Sequence, residues 1–118
     1  MVMSKSLAAD ALLAAVDGGN VAVFANSEAS MRVAARWFSS EYPELDVVAE
    51  WIHSKHRESM MFPGGGTLTF LSLTSNPDRL RGWSLDRCYV PIGTSPSFVE
   101  DHLRWNLHAS KDGTMAGY

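Results

Sequence analysis

This sequence of 118 residues has one cysteine, no excess of positive charge and no long apolar run. The single cysteine, Cys88, excludes an internal disulfide framework and is typical of a reducing compartment. Lys and Arg number 10 against 13 Asp and Glu, and the formal net charge is -3, so no overall positive field attracts nucleic acid. The apolar runs fall far short of the roughly 20 residues of a membrane span. The apolar stretch before Asp10 is also too short for a signal peptide, so we expect a cytoplasmic protein.

The composition that remains is that of one soluble globular domain. Hydrophobic residues make up 46% and charged residues 19% of the chain, which is ordinary for a folded protein. The length suits one domain, and the four tryptophans need a core to pack into. We predict a single domain over residues 1–118, and we expect residues 1–4 and 110–118 to be frayed.

Helical and strand patterns alternate along the chain, which predicts an α/β fold. The expected architecture is a three-layer domain with a mixed, mostly parallel sheet, one hairpin, and helices on both faces. We predict helices at residues 6–17, 27–42 and 95–108, and strands at residues 21–25, 45–52, 59–62, 67–72 and 87–90.

Three of these predictions depend on local patterns. The run at 21–25 is continuously apolar, as is typical of a parallel strand that is covered on both faces. In the second helix Ala29, Val33 and Trp37 recur at four-residue spacing, with Ala34 and Phe38 beside them, and we expect this stripe to face the core. Residues 53–57 are polar and are predicted as a connection, whereas Gly-rich residues 63–66 predict a hairpin turn.

Two consecutive stretches are more specific than a fold class. Residues 62–72 read Phe-Pro-Gly-Gly-Gly-Thr-Leu-Thr-Phe-Leu-Ser, and residues 75–86 read Ser-Asn-Pro-Asp-Arg-Leu-Arg-Gly-Trp-Ser-Leu-Asp. Together they resemble the ATPase domain of phage terminase large subunits, the motors that drive DNA into capsids, which has a P-loop, RecA-like fold. In that family two strands joined by a turn precede an Arg-Gly loop, and a hydrophobic strand then ends in Asp-Glu. Here Arg81 and Gly82 match the loop, and residues 87–90 match the strand.

The resemblance extends upstream and covers residues 4–108. Residues 21–26 and the helix from Ser27 are similar to the family's second strand and the helix after it. Ser4-Lys5-Ser6, at the start of an Ala/Leu-rich helix, is similar to the Gly-Lys-Ser that ends a P-loop. The resemblance therefore implies that Lys5 and Ser6 are the remnant of a nucleotide-binding site.

Both halves of a working nucleotide site are missing from the sequence. A P-loop needs a glycine-rich turn before its Lys, and Ser4 stands where the last glycine belongs. When the sequence is aligned on the Arg-Gly loop, the family's Asp-Glu pair falls at Pro91 and Ile92, which offer neither a metal ligand nor a base. We therefore expect a degenerate ATPase with no catalytic residue, no cofactor and no metal.

Two further surfaces are candidates for binding. Trp83 follows Gly82 in the predicted loop and is our candidate for a contact with a protein partner, because Trp is favoured at interface hot spots. His53 and His56 have the spacing of some metal ligands, but too few ligands converge there and a solvated loop is the better interpretation. A candidate patch for DNA phosphates consists of Arg32, Arg36, Lys55 and Arg57, with Glu50 and Glu58 beside it as opposing charges.

The leading hypothesis is a non-catalytic phage protein, derived from a terminase ATPase domain, in the host-cell cytoplasm. It would act as a binding or regulatory module through contacts with a packaging component or a host protein. One alternative is a piece of a split terminase ATPase that another polypeptide completes, and a second is a small DNA-binding module. The predicted strand at 87–90 lacks a neighbour, so we also expect a homo-oligomer to form through an exposed sheet edge.

Overall fold

The computed structural model describes residues 4–54, 57–72, 86–90 and 114–117. These residues form helices α1 (Lys5–Val16), α2 (Glu28–Glu41) and α3 (Leu45–Val48), and strands β1 (Asn20–Ala25), β2 (Glu50–Ser54), β3 (Arg57–Met61), β4 (Thr67–Ser72), β5 (Arg87–Val90) and β6 (Thr114–Gly117).

The described strands form one mixed sheet in the order β2-β3-β4-β1-β5-β6. Strand β1 is parallel to β4 and to β5, and β6 continues the parallel part beside β5. Strands β2, β3 and β4 are antiparallel neighbours. The predicted α/β class with a mostly parallel sheet and a hairpin is confirmed, while the helix predicted at 95–108 lies outside the described residues.

Helix α1 begins and ends with local signals that the sequence carries. The Ser4 hydroxyl oxygen accepts a hydrogen bond from the Leu7 amide at 3.2 Å, which caps the first turn. At the other end the Gly18 amide donates to Ala15 O and the Gly19 amide to Ala14 O, with Gly18 at φ +101°. This pair of bonds is the Schellman arrangement, in which a left-handed glycine ends the helix. The predicted helix at 6–17 is thus confirmed to within a residue or so.

Helix α2 has the predicted cap and part of the predicted buried stripe. Ser27 accepts from the Ser30 amide at 3.1 Å, and the helix ends at Glu41, before Pro43. Ala34 and Phe38 of the stripe are buried as predicted, but Ala29 is exposed, Val33 is 55% exposed and Trp37 is only partly buried, so these three positions are wrong. The residues that face the core follow the i, i+3, i+4, i+7 spacing of a regular helix and are Met31, Ala34, Ala35 and Phe38.

The strand predicted at 45–52 is wrong in its first half. Residues 45–48 form the single turn α3, in which the Ala49 amide donates to Leu45 O at 3.0 Å. Leu45 is buried whereas Val47 is 87% exposed, so the β-branched valines that suggested a strand do not decide the structure. The predicted polar connection at 53–57 is also wrong, because His53 belongs to β2 and β3 begins at Arg57.

The predicted hairpin around the Gly-rich turn is confirmed as β3 and β4. Its strands pair from Met61 opposite Thr67, and the Phe62 amide donates to Gly66 O at 2.9 Å. Gly65 has φ +91°, a conformation that glycine adopts without steric cost. Gly66 lies against the end of α1, where any side chain would overlap the Ala15 carbonyl oxygen.

Five residues that the sequence predicts to be frayed have a defined place in the structure. Ser4 is ordered as the cap of α1, and residues 114–117 form β6, which pairs with β5 from Arg87 opposite Thr114. Strand β5 therefore has a neighbour on each side, and the prediction that it forms an exposed edge is wrong. Among the described strands the sheet ends at β2 and β6.

The core lies between the sheet and the two longer helices. Val21, Val23 and Ala25 of β1 pack on the face that α1 and α2 cover. Ala22 and Phe24 point to the opposite face and are also buried, so β1 is covered on both faces as its continuous apolar pattern predicts. None of the helices in the described part of the chain is long and apolar enough to cross a bilayer.

Candidate functional site at the carboxyl edge of the sheet

The four parallel strands β1, β4, β5 and β6 end together at one edge of the sheet. Ala25, the last residue of β1, pairs with Ser72, the last residue of β4, and Val23 pairs with Tyr89 of β5. The carboxyl ends of β1, β4 and β5 therefore lie side by side. In open α/β sheets ligands bind outside this edge, so it is the first place to look for a functional site.

The amino terminus of α1 reaches the same edge. The short Gly18-Gly19 turn makes α1 run antiparallel to β1, against which it packs. Twelve helical residues span about 18 Å and six strand residues about 20 Å, so the two elements are matched in length. Lys5 and Ser6 open the helix at this edge and are exposed, which is where a residual P-loop end would place them.

Helix α2 also begins at this edge, three residues after β1 ends. Each helix uses its own serine to satisfy the third amide of its first turn, Leu7 in α1 and Ser30 in α2. The Ser27 hydroxyl donates in turn to Ser30 Oγ at 3.1 Å. One amide in the first turn of each helix, that of Leu7 or Ser30, is therefore already used by a cap and is not open to a phosphate.

No acidic residue ends any of these four strands, since their last residues are Ala25, Ser72, Val90 and Gly117. The acidic residue next to β5 is Asp86, at the opposite end of that strand. Its Oδ2 accepts from the Asn20 amide at 2.7 Å, and its own amide donates to Asn20 O at 2.8 Å. Asp86 therefore ties the start of β5 to the start of β1. Within the described residues no cluster of His, Cys, Asp and Glu side chains can hold a metal ion.

The two ionisable side chains of β5 that face the interior are Cys88 and Tyr89. Burial raises the pKa of the Cys88 thiol to about 12, so the thiol is protonated at neutral pH and is a poor nucleophile. Burial also raises the pKa of Tyr89, and the nearby Arg87 partly opposes this shift. Arg87 does not reach hydrogen-bonding geometry, and the Tyr89 hydroxyl has no partner in the described part of the protein. Both side chains contribute to packing.

The predicted DNA patch is only partly assembled. Arg32 of α2 places Nη1 3.5 Å from Glu58 Oε1, and His53 places Nδ1 3.3 Å from the same oxygen. Glu58 is largely buried between them. Its carboxylate therefore offsets the positive charge that would otherwise attract a DNA phosphate. Arg36 is exposed one helical turn from Arg32, and Arg57 begins β3, whereas Lys55 lies outside the described residues.

An aromatic stack at the end of the sheet was not predicted. The Trp51 ring is nearly parallel to those of His53, at 5.8 Å, and Phe70, at 6.4 Å. Alternate positions 51 and 53 of β2 share a face, so recognising β2 as a strand through residue 54 would have revealed the pair. The family-motif residues Arg81 and Gly82 and the candidate contact Trp83 lie outside the described residues, and their roles stay predictions.

Comparisons with known proteins agree with this fold. No protein-family model matches the sequence, and no curated protein matches it. A large terminase from a thermophilic bacteriophage, in complex with ADP, matches with a TM-score of 0.65 and 11% identity over 94% of this chain and 29% of that one. The ATPase domain of a Thermus phage large terminase, in a mutant form, matches with a TM-score of 0.62 and 14% identity over 96% of this chain and 54% of that one. The predicted terminase-like core is confirmed as a fold, and the chain spans between about a third and a half of these two structures.

Proposed function

We propose that the chain is a non-catalytic, terminase-fold domain of a phage DNA-packaging system. It acts in the host cytoplasm as a binding or regulatory module, and its partner is a packaging component or a host protein. The observation that carries the proposal is the carboxyl edge of the sheet, where the fold of a nucleotide-hydrolysing domain is retained without acidic residues at its strand ends.

The chemistry of phosphoryl transfer supports this assignment. Hydrolysis needs a carboxylate that holds the metal and a group that orients water. Strand β5 ends at Val90 and is followed in the sequence by Pro91 and Ile92, none of which can do either. Asp86 sits at the far end of β5 and is engaged by Asn20. Among the described residues the edge offers two capped helix starts and an exposed Lys5, and this set supports a domain that binds without turnover.

The test is purification of the tagged chain from infected cells, with co-eluting proteins identified and quantified. A packaging component or a single host protein should co-elute in near-stoichiometric amount. Trp83→Ala should reduce that recovery, because Trp83 is the candidate contact, whereas Val47→Ala should not, although Val47 is 87% exposed. Unchanged recovery with Trp83→Ala would place the contact elsewhere, and absence of any stoichiometric partner would contradict the proposal.

One piece of a split ATPase is the second candidate, because the chain spans only 29% and 54% of the matched structures. Another polypeptide would then supply the catalytic carboxylate and the strand that leads into the phosphate loop, and Lys5 would be the lysine of that loop. ATP hydrolysis should appear only when this chain is mixed with its complement. Lys5→Ala should abolish that hydrolysis without affecting folding, since Lys5 is exposed at the first position of α1. Hydrolysis that survives Lys5→Ala would remove this candidate.

The DNA-binding alternative is disfavoured by the position of Glu58 between Arg32 and His53. If the patch nevertheless binds phosphates, retention on DNA should be salt-sensitive and should fall on combined Lys55→Ala and Arg57→Ala substitution. Glu58→Gln should then strengthen retention, because it releases the two side chains from their shared carboxylate. No retention at low salt would exclude this function.

A further inference from the structure

Asn26 lies at the junction between β1 and α2, one residue beyond the carboxyl end of β1. Its side chain is exposed and forms no hydrogen bond with another described residue. The next residue, Ser27, caps α2, and its hydroxyl oxygen accepts from the Ser30 amide at 3.1 Å. The Ser27 backbone amide itself donates to no other described residue. The junction therefore holds an unbound asparagine side chain directly before an unbound backbone amide.

These two groups can react with each other. The Ser27 nitrogen attacks Asn26 Cγ, and the new C–N bond closes a five-membered succinimide ring. The side-chain nitrogen leaves as ammonia and takes up the proton that the Ser27 amide loses. Water then opens the ring at either carbonyl and yields aspartate or isoaspartate. Water is the only co-reactant, so the reaction depends on how freely the attacking nitrogen and the side chain can meet.

We propose that Asn26 is a site of spontaneous deamidation in the folded protein. Serine after it leaves the attacking nitrogen accessible, because the serine Cβ carries one heavy substituent whereas β-branched residues carry two. Each conversion lowers the formal net charge of -3 by one unit. The new carboxylate lies beside the start of α2, where the helix dipole favours negative charge, at an edge where the described parallel strands end without an acidic residue. Deamidation thus changes the charge of the candidate site itself.

Asn20, at the other end of β1, is an internal comparison. It is also exposed, but its backbone amide donates to Asp86 Oδ2 at 2.7 Å and its Oδ1 accepts from Thr67 Oγ1 at 3.1 Å. The next residue, Val21, is branched at Cβ and is buried in a strand that pairs on both sides. The Val21 nitrogen cannot turn towards the Asn20 side chain unless β1 opens, so the fold protects Asn20.

The dipeptide Asp17-Gly18 is protected in a different way. Glycine hinders the attacking nitrogen least, and the same ring would form there with loss of water from the Asp17 carboxyl group. The Gly18 amide, however, donates to Ala15 O at 3.1 Å and is one of the hydrogen bonds that end α1. Its proton is therefore not readily lost while α1 is formed. The structure directs the modification to Asn26, although Asp17-Gly18 is the less hindered pair in the sequence.

Peptide mapping of the aged protein tests this assignment. Asp17, Asn20 and Asn26 lie on one tryptic peptide, residues 6–32, so a single digest compares the three sites. In the folded chain, kept in mildly alkaline buffer, conversion at Asn26 should be at least about tenfold faster than at Asn20, because a central strand reacts only after it opens. Isoaspartate should also accumulate at position 26 before it does at position 17. Equal conversion of the two asparagines, or earlier isoaspartate at position 17, would overturn the proposal.

Substitutions identify the attacking nitrogen. Ser27→Thr keeps a capping hydroxyl group but adds a methyl group beside the nitrogen, so conversion at Asn26 should slow severalfold. Ser30→Ala, in the same turn, is the matched control, because it removes only a hydroxyl group and should leave the rate unchanged. Circular dichroism should show that both variants fold. Conversion that is insensitive to Ser27→Thr, or that Ser30→Ala slows equally, would contradict attack by the Ser27 nitrogen and overturn the proposal.

Discussion

Replacing Gly66 by alanine tests how closely the β3–β4 turn packs on the end of α1. A Cβ at this position would overlap the Ala15 carbonyl oxygen, and would lie 2.8 Å from the Ala15 carbonyl carbon and 3.0 Å from Gly18 Cα. All three are backbone atoms, so no rotamer change relieves the overlap. Since carbon atoms in contact sit about 3.5–4.0 Å apart, the turn and α1 must separate by roughly 1 Å.

The cost of that separation is set by what α1 buries. Its inner face is packed against the sheet through Ala8, Ala11, Leu12 and Ala15. Overpacking of a closely packed contact costs about 1–3 kcal/mol, and we expect the upper end because backbone must move against backbone. Domains of this size have a free energy of unfolding of about 5–15 kcal/mol. The Gly66→Ala variant should therefore fold, but its unfolding midpoint should lie at a clearly lower denaturant concentration.

Gly65→Ala is the matched control, one residue away in the same turn. Gly65 has φ +91° and no atom within 4 Å of an added Cβ, so alanine there costs only left-handed strain of about 1–2 kcal/mol. Urea unfolding, monitored by circular dichroism, gives the free energy of unfolding of each variant. Gly66→Ala should lose more stability than Gly65→Ala, and an equal or smaller loss would refute the close approach of turn and helix.

Further predictions concern the core and β5. Phe38→Ala and Phe70→Ala should each cost about 3–5 kcal/mol in urea unfolding, because both rings are fully buried, and their edge-to-face contact at 5.3 Å should give a double-mutant coupling of about 0.5–1.5 kcal/mol. The Cys88 thiol should resist thiol reagents at pH 8 until the protein unfolds. Because folding raises its pKa from 9.0 to about 12, the free energy of unfolding should fall as pH rises through that window, and Cys88→Ala should reduce the slope. Tyr89→Phe should keep the stability within about 1 kcal/mol or raise it, since the buried hydroxyl lacks a hydrogen bond within the described residues.

Elements with local signals could be predicted from the sequence. Ser27 caps α2 and Gly18 ends α1, and both residues are local signals. Strand β1 can be recognised from its own apolar residues, without knowing which strands lie beside it. Strand β6 could not be predicted in this way, because residues 114–117 read Thr-Met-Ala-Gly and have little strand propensity. Its pairing with β5 decides its conformation. The helical turn α3 could not be predicted locally either, since burial of Leu45 outweighs the preference of Val47 and Val48 for a strand.

Residues of the candidate site that have a local signal can be placed from the sequence, and residues joined by long-range contacts cannot. Lys5 and Ser6 lie at the start of α1, which the Ser4 cap signals, and their role as the remnant of a nucleotide site stays a prediction. The hydrogen bond between Asp86 and Asn20 joins residues 66 positions apart, and no pattern in the sequence predicts it. The predicted stripe of α2 includes the buried Phe38 but is wrong at Ala29 and Val33, because a four-residue spacing drifts around the helix. A seven-residue spacing, as from Met31 to Phe38, stays on one face.

Calorimetric titration of the purified chain with ATP and magnesium tests the central claim most directly. We expect no heat beyond dilution and no phosphate release, for the native chain and for Lys5→Ala alike. Micromolar binding by the native chain that Lys5→Ala abolishes would contradict it, because the carboxyl edge of the sheet would then hold a nucleotide after all.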